Sequence, residues 1–336
     1  MKTMKKLPIF LIVSFFLGGT SFSQELSNEE QLNEVIINST RIDLPFSENS
    51  RTITIISSET IKASTATNVA DLLQSVSGID VRRRGTDGMQ SDLYIRGGQF
   101  NQTLILIDGF KTEDPQTGHH TMNMMIPLEN IERIEIIKGP AARVFGQNAF
   151  TGAINIVTKS KVDEQLKINV GSGSFDKLRL GATAAAKLEN SNHFVNVEYN
   201  GSQGYRENTD YENLNYFLKS SISTNQQPVD VIATFSDRKF GANNFYTNSP
   251  DYNEYEETQT SLVGVSTSMI KNKWTLKPRV YWKRGQDMFL LKREDPSFSR
   301  NFNITNKVAA EVNSSFTNNL GVTGIGMDLS ETTLSS

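Results

Sequence analysis

Cysteine is absent from these 336 residues, tryptophan occurs twice and histidine three times. Without cysteine there is no disulfide framework, no thiolate zinc or iron–sulfur centre and no thiol nucleophile. Three histidines leave little room for an imidazole-built metalloenzyme, so no cofactor and no resident metal is expected. A dominant charge is missing too. The 34 Lys and Arg stand against 37 Asp and Glu, which lacks the basic excess of nucleic-acid binders and sets nucleic acid aside as a partner. Past the extreme N-terminus no apolar run reaches the roughly 18 residues of a membrane-crossing helix. Together with a mean hydropathy of -0.39 this excludes a helical membrane protein. A β-barrel escapes that exclusion, because strands that alternate apolar and polar residues average to a soluble-looking hydropathy.

What is present begins with a leader. Lys2, Lys5 and Lys6 precede the apolar run Leu7 to Leu17, and small residues end it at Ser21-Phe22-Ser23. This is the layout of a secretory signal peptide over residues 1–23, cleaved before Gln24, and the apolar run is too short to span a bilayer. Loss of the three leader lysines leaves 31 basic against 37 acidic residues, net −6, on an exported chain. Residues 24–45 read as a flexible polar arm holding one short strand-forming run, Val35-Ile36-Ile37.

Residues 46–160 have the texture of a small α+β domain. Thr52–Ile56 reads as a strand, and Val69, Leu72, Leu73 and Val76 share one helix face, with Thr67 as its cap and Gly78 as its end. Further strands are predicted at Asp80–Arg82, Leu93–Ile95, Thr103–Ile107, Arg133–Ile137 and Ala153–Thr158, punctuated by Asp108-Gly109, Gly118 and Gly139-Pro140. From residue 161 the period becomes two. Leu178, Leu180, Ala182, Ala184, Ala186 and Leu188 alternate with Lys177, Arg179, Thr183 and Lys187. Val195, Val197 and Tyr199 oppose Asn196 and Glu198, and Trp274, Leu276, Val280 and Trp282 oppose Lys277, Arg279 and Lys283. Long Asn/Gly/Asp/Pro-rich connections such as 201–210, 241–253 and 293–301 alternate with tight ones. A soluble β-sandwich also alternates. The loop asymmetry, the two tryptophans as interface girdles and the leader favour transmembrane barrel strands.

Leu32-Asn33-Glu34-Val35-Ile36-Ile37 resembles a TonB box, and Ala70-Asp71-Leu72-Leu73-Gln74 through Gly78-Ile79 resembles the opening of a TonB-dependent receptor plug. Tyr94-Ile95-Arg96-Gly97, Leu106-Ile107-Asp108-Gly109, Ile134–Pro140, Val144-Phe145-Gly146 and Gly152–Thr158 match the later plug blocks in order. The resemblance covers residues 32 to about 160 and implies a Gram-negative outer-membrane receptor, embedded in outer-membrane lipid. Such a receptor imports a scarce substrate, energised through TonB with ExbB and ExbD by the proton gradient. Glu34, Val35, Ile36 and Ile37 would then dock on TonB by strand addition, although the triplet also reads as an edge strand of the plug. Arg96, Glu132, Glu135, Lys138 and Arg143 resemble the family's charge network within the plug and toward the wall. Lys138 stands where Arg is usual and replaces a bidentate fork by a point charge.

Asp114 to Met125 falls where the family's plug rises toward its outer face. It holds two of the three histidines, so Gln116, His119, His120 and Met122 are the candidate contacts to substrate. Imidazole and thioether suit a metal chelate, but a polar turn followed by packed methionines is favoured over direct ligation. Plug subtype and the lack of room for an added N-terminal domain point to siderophore or cobalamin rather than a glycan. Residues 161–336 give about nine strands at roughly 10 residues each, against about 22 in plugged transporters. The expectation is therefore an N-terminal fragment with an incomplete barrel. A secreted plug that binds ligand without transport is the competing class. No nucleophile–base pair is found, and Gly97-Gly98 lacks the strand-to-helix setting of a phosphate loop, so an enzyme is not expected.

Overall fold

The computed structural model describes residues 36–37, 44–45, 53–85, 89–123, 126–139, 145–146, 148–224, 227–247, 249 and 251–336. The leader, Glu34, Val35 and Arg143 lie outside the described residues. Two short strands, β1 (Ile36–Ile37) and β2 (Leu44–Pro45), pair antiparallel. The α+β unit follows with β3 (Ile53–Ser57), α1 (Ser58–Ala63), α2 (Val69–Gln74), β4 (Ile79–Arg84), β5 (Gln90–Ile95), β6 (Thr103–Ile107), β7 (Phe110–Lys111), β8 (Ile131–Lys138) and β9 (Gly152–Thr158). Its sheet runs β3-β8-β9-β6-β7 with β6 and β9 parallel, and β4 and β5 form a separate hairpin.

The centre of that sheet is covered on both faces, which is why β6 and β9 read as continuous apolar runs. Ile105, Ile107, Ile154 and Ile156 pack with Leu72 and Leu73 of α2, while Leu104, Leu106 and Ala153 pack with Ile53 and Ile137. The cap of α2 is Asn68 rather than Thr67: Asn68 Oδ1 accepts from Asp71 N at 2.9 Å. Thr67 instead donates its N–H and hydroxyl to Asp71 Oδ2, each at 2.8 Å; both residues are good cap formers, and these bonds occupy Thr67 while Asn68 takes the cap. Val76 falls past the helix end, and Gly78, at φ +81°, turns the chain into β4.

The remaining strands are β10 (Gln165–Gly173), β11 (Lys177–Leu188), β12 (Ser191–Ser202), β13 (Tyr211–Thr224), β14 (Gln227–Gly241), β15 (Tyr255–Thr267), the short β16 (Met269–Lys271), β17 (Trp274–Leu290), β18 (Arg300–Asn318) and β19 (Gly321–Ser335). Nine of them form an antiparallel meander in chain order, with β16 beside β17. Among the described residues β10 and β19 each pair on one side only, so the wall is not closed. Connections 203–210, 242–254 and 291–299 lie at one end, while 189–190 and 319–320 are tight turns at the other. Long connections mark the external end of such a wall.

This sheet is inside out by the standard of a soluble sandwich. Ile168 and Val170 are each 73% exposed, and Leu180, Val195, Val263, Val280 and Val308 are exposed on the same convex face. The concave face buries Asn196, Lys219, Arg238, Glu256, Lys283, Asp287 and Lys307 against the plug. A convex apolar band over a polar concave face suits lipid outside and a hydrated lumen inside. On β17 the band begins at Trp274, in contact with Phe316 (4.9 Å between ring centroids), and ends at Trp282. Above Trp282 the same face carries Arg284 and Gln286, beside Asn306 and Gln259. Eight residues at ~3.3 Å and a ~40° tilt give roughly 20 Å, close to the ~25 Å apolar height of these walls. No helix among the described residues is long and apolar enough to cross a membrane.

Candidate functional site

The plug meets the wall through a chain of polar contacts that starts at the Asp108-Gly109 turn. Both residues take positive φ (49° and 81°), closing a two-residue hairpin between β6 and β7. The turn frees Asp108 to accept from Thr158 N at 2.8 Å and Thr158 Oγ1 at 2.5 Å, which ties it to the end of β9. Lys219 of β13 reaches in from the wall and donates to Asp108 Oδ2 (2.8 Å), Thr158 Oγ1 (2.7 Å) and Thr158 O (3.2 Å). On the other side Gly109 N donates to Asn155 Oδ1 at 3.0 Å, and Asn155 Nδ2 donates to the fully buried Glu135 at 3.3 Å. Arg133 Nε donates to the same carboxylate at 2.9 Å. Arg279 of β17 donates to Gly109 O.

The next residues continue this contact with charges of both signs. Lys111 faces Glu311 (3.8 Å) and Asp328 (3.4 Å), Glu113 pairs with Lys307, and Asp114 pairs with Lys283 at 3.3 Å. Burial raises the Glu113 carboxyl, but Lys307, Asn148 and Lys111 outweigh it and hold the group below the usual glutamate range. Asp114 is likewise held down against its burial, chiefly by Lys283.

Beyond Asp114 the chain climbs toward the end with the long connections. Gln116 Nε2 donates to Asp287 at 3.2 Å, and a short turn over Gly118–His120 follows, capped by Thr117. His119 stacks on Phe100 (4.3 Å) and bonds Asp92 through Nδ1 at 2.7 Å. His120 is largely covered by the wall, with Nε2 2.9 Å from Glu256. Burial disfavours its charge, yet Glu256, Asp287 and Asp114 outweigh that and raise its pKa. Met122 packs on the plug core, and Asn123 accepts from Arg238 at 2.6 Å.

The sequence candidates are therefore distributed unevenly. Gln116, His119 and His120 come together near the outer end, His120 and Gln116 as wall contacts and His119 as the more accessible ring; Met122 turns inward. Of the expected charge network, Glu132 and Glu135 meet on Arg133, which the sequence reading left out. Lys138 donates to Ser77 O at 2.6 Å, and Arg96 is exposed at a positive-φ turn. Among the described residues, ion pairs between plug and wall come instead from Asp108, Lys111, Glu113 and Asp114, with Glu129 on Lys167 and His120 on Glu256 besides. Their partners Lys219, Lys283 and Lys307 carried one legible signal, a charge on the strand face opposite the apolar one.

Residues 45–153 match the TonB-dependent Receptor Plug Domain family. That match assigns a plug domain of this family to residues 45–153. It is similar to the vitamin B12 transporter BtuB of Vibrio vulnificus CMCP6, 34% identical over 150 residues (44% of this chain, 24% of that one). It is also similar to BtuB of Vibrio cholerae, 30% identical over 171 residues (50% and 28%). Among solved structures it superposes on the ferric yersiniabactin uptake receptor FyuA of Yersinia pestis, TM-score 0.66 at 16% identity (86% of this chain, 50% of that one). FpvA of Pseudomonas aeruginosa bound to heterologous pyoverdines gives TM-score 0.68 at 17% identity (88% and 44%). The chain thus spans about half the length of those structures and about a quarter of the transporters. These relatives are transporters and receptors, not enzymes.

Proposed function

We propose that the chain supplies the plug and the first wall strands of an outer-membrane receptor for active uptake of a metal chelate, cobalamin or a siderophore. The observation that carries this reading is the plug clamped by buried ion pairs to the polar face of a wall whose other face is apolar. A plug so held blocks diffusion, and substrate passes only if work from the periplasm loosens it. In this reading residues 1–23 direct export. Glu34–Ile37 adds a strand to TonB, and ExbB and ExbD deliver the proton gradient. The one-sided edges β10 and β19 require further strands, since an unpaired edge in lipid leaves backbone groups unsatisfied. Cobalamin is the first substrate to test, because relatives at 30% identity or more are vitamin B12 transporters. Gln116, His119, His120 and Met122 sit on the segment beneath the long connections, where His119 is the residue to meet a chelate.

The test is uptake of labelled cyanocobalamin and ferric siderophores by cells whose only receptor is the full-length protein, with TonB present or deleted. TonB-dependent uptake of one of them is expected, and His119→Ala should weaken binding of that chelate with the fold unchanged. Uptake that persists without TonB, or uptake of neither chelate, overturns the reading.

A further inference from the structure

Below the long connections, three side chains from distant parts of the chain converge. His120 comes from the plug, Glu256 from the start of β15 and Asp287 from near the end of β17. One ligand-competent atom from each lies within 4.8 Å of the other two. His120 Nε2 is 2.9 Å from Glu256 Oε1 and 3.9 Å from Asp287 Oδ1. Both carboxylates are buried, Glu256 at 3% and Asp287 at 7% exposure.

Each carboxylate is held by its outer oxygen. Tyr246 OH donates to Glu256 Oε2 at 2.5 Å, and Gln116 Nε2 donates to Asp287 Oδ2 at 3.2 Å. The inner oxygens are thereby aimed at His120 Nε2, and Asp287 Oδ1 is buried with no hydrogen-bond partner. A buried carboxylate oxygen left unpaired is costly, and orienting groups on the outer oxygens are how proteins fix metal-binding carboxylates. The charge balance points the same way. Asp114 is neutralised by Lys283, and the buried Arg238, which bonds Asn123, lends its charge to Glu256, so Asp287 has the imidazole as its ion-pair partner and shares it with Glu256. A divalent cation between the three ligands would offset the charge on Asp287 that the shared imidazole leaves.

We propose that His120, Glu256 and Asp287 bind a first-row divalent cation, of which Zn2+ is the best match, and that this ion staples the plug to the wall. One imidazole and two carboxylates, with no thiolate, suit zinc or its neighbours. Tetrahedral ligands at ~2.0–2.1 Å from an ion are about 3.3 Å apart, a spacing bracketed by the two His120 distances. The ion would connect the plug to two neighbouring wall strands, 136 positions further along the chain from His120 to Glu256, at the end of the plug that faces incoming substrate. The site does not depend on which chelate is transported.

The experiment is Zn2+ titration by calorimetry on the detergent-solubilised full-length receptor after chelator treatment, with zinc-edge X-ray absorption on the loaded protein. The expected result is one saturable Zn2+ per chain, a higher melting temperature and a spectrum of one imidazole with oxygen ligands. Glu256→Gln and Asp287→Asn should each lower affinity at least about tenfold, while His193→Ala, in the wall away from the cluster, leaves it unchanged. Circular dichroism of the metal-free variants shows that they are folded. No saturable binding by the folded chain, or binding that both carboxamide variants retain, overturns the proposal; the latter is an adventitious ion only. Uptake of a chelate is read separately, so either idea can fail without the other.

Discussion

Lys219→Met removes the wall cation that grips the Asp108 turn. Lys219 is 4% exposed at its side chain and makes three contacts with the plug, two of them to the carboxylate and hydroxyl of the Asp108–Thr158 pair. Removing one partner of a buried ion pair costs about 3–5 kcal/mol, since the remaining charge loses its counter-ion without regaining water. Asp108 keeps its two bonds from Thr158, which places the loss at the lower end. About 3 kcal/mol is roughly two decades in the equilibrium for plug detachment. The readout is the rate at which protease releases the plug from the detergent-solubilised full-length receptor, beside the melting temperature. Asp108→Asn and the double variant complete the cycle, with an expected coupling of about 1.5–3 kcal/mol. A coupling near zero, or a plug released no faster by Lys219→Met, would refute the view that this pair clamps plug to wall.

Gly109→Ala should destabilise the plug by about 2–4 kcal/mol, because alanine at positive φ costs about 1–2 and its Cβ would lie 2.1 Å from the Arg279 guanidinium. Gly78→Ala has the same φ but open space around it, so it should lose only the backbone share in the same melting assay. Ile36→Pro should abolish TonB binding in a pull-down, because proline removes an N–H and fixes φ, while Ile36→Val binds normally; TonB capture by the proline variant would sink the strand-addition assignment. Glu113 has a folded pKa below its unfolded value near 4.5, so its stabilising contribution is full above that value and is lost as pH falls through the folded pKa. Melting temperature should therefore drop below about pH 4.5, less steeply in Glu113→Gln; equal slopes would remove Glu113 from the acid response.

The sequence by itself determined which residues can face which medium. Period two separated Trp274, Val280 and Trp282 from Arg279 and Lys283, and the wall keeps that division because a strand sends alternate side chains to opposite faces. The Leu106–Gly109, Ile134–Gly139 and Gly152–Thr158 blocks were legible as a family pattern, and in the structure they are linked through the Asp108–Thr158 and Gly109–Asn155–Glu135 bonds. The sequence points to Thr67 where Asn68 caps α2, because both side chains can perform the same local task.

Only the tertiary structure decided which inward charge meets which plug residue. Lys219 and Asp108 are 111 positions apart, and His120 and Glu256 are 136 apart. Their meeting depends on strand stagger and on the height at which the plug docks, and neither is encoded by the alternation of a single strand. For the same reason His119 and His120, adjacent in sequence, part company. One ring stacks on Phe100 with partial exposure, and the other is largely covered between two wall carboxylates, because successive residues of a tight turn point to different neighbours.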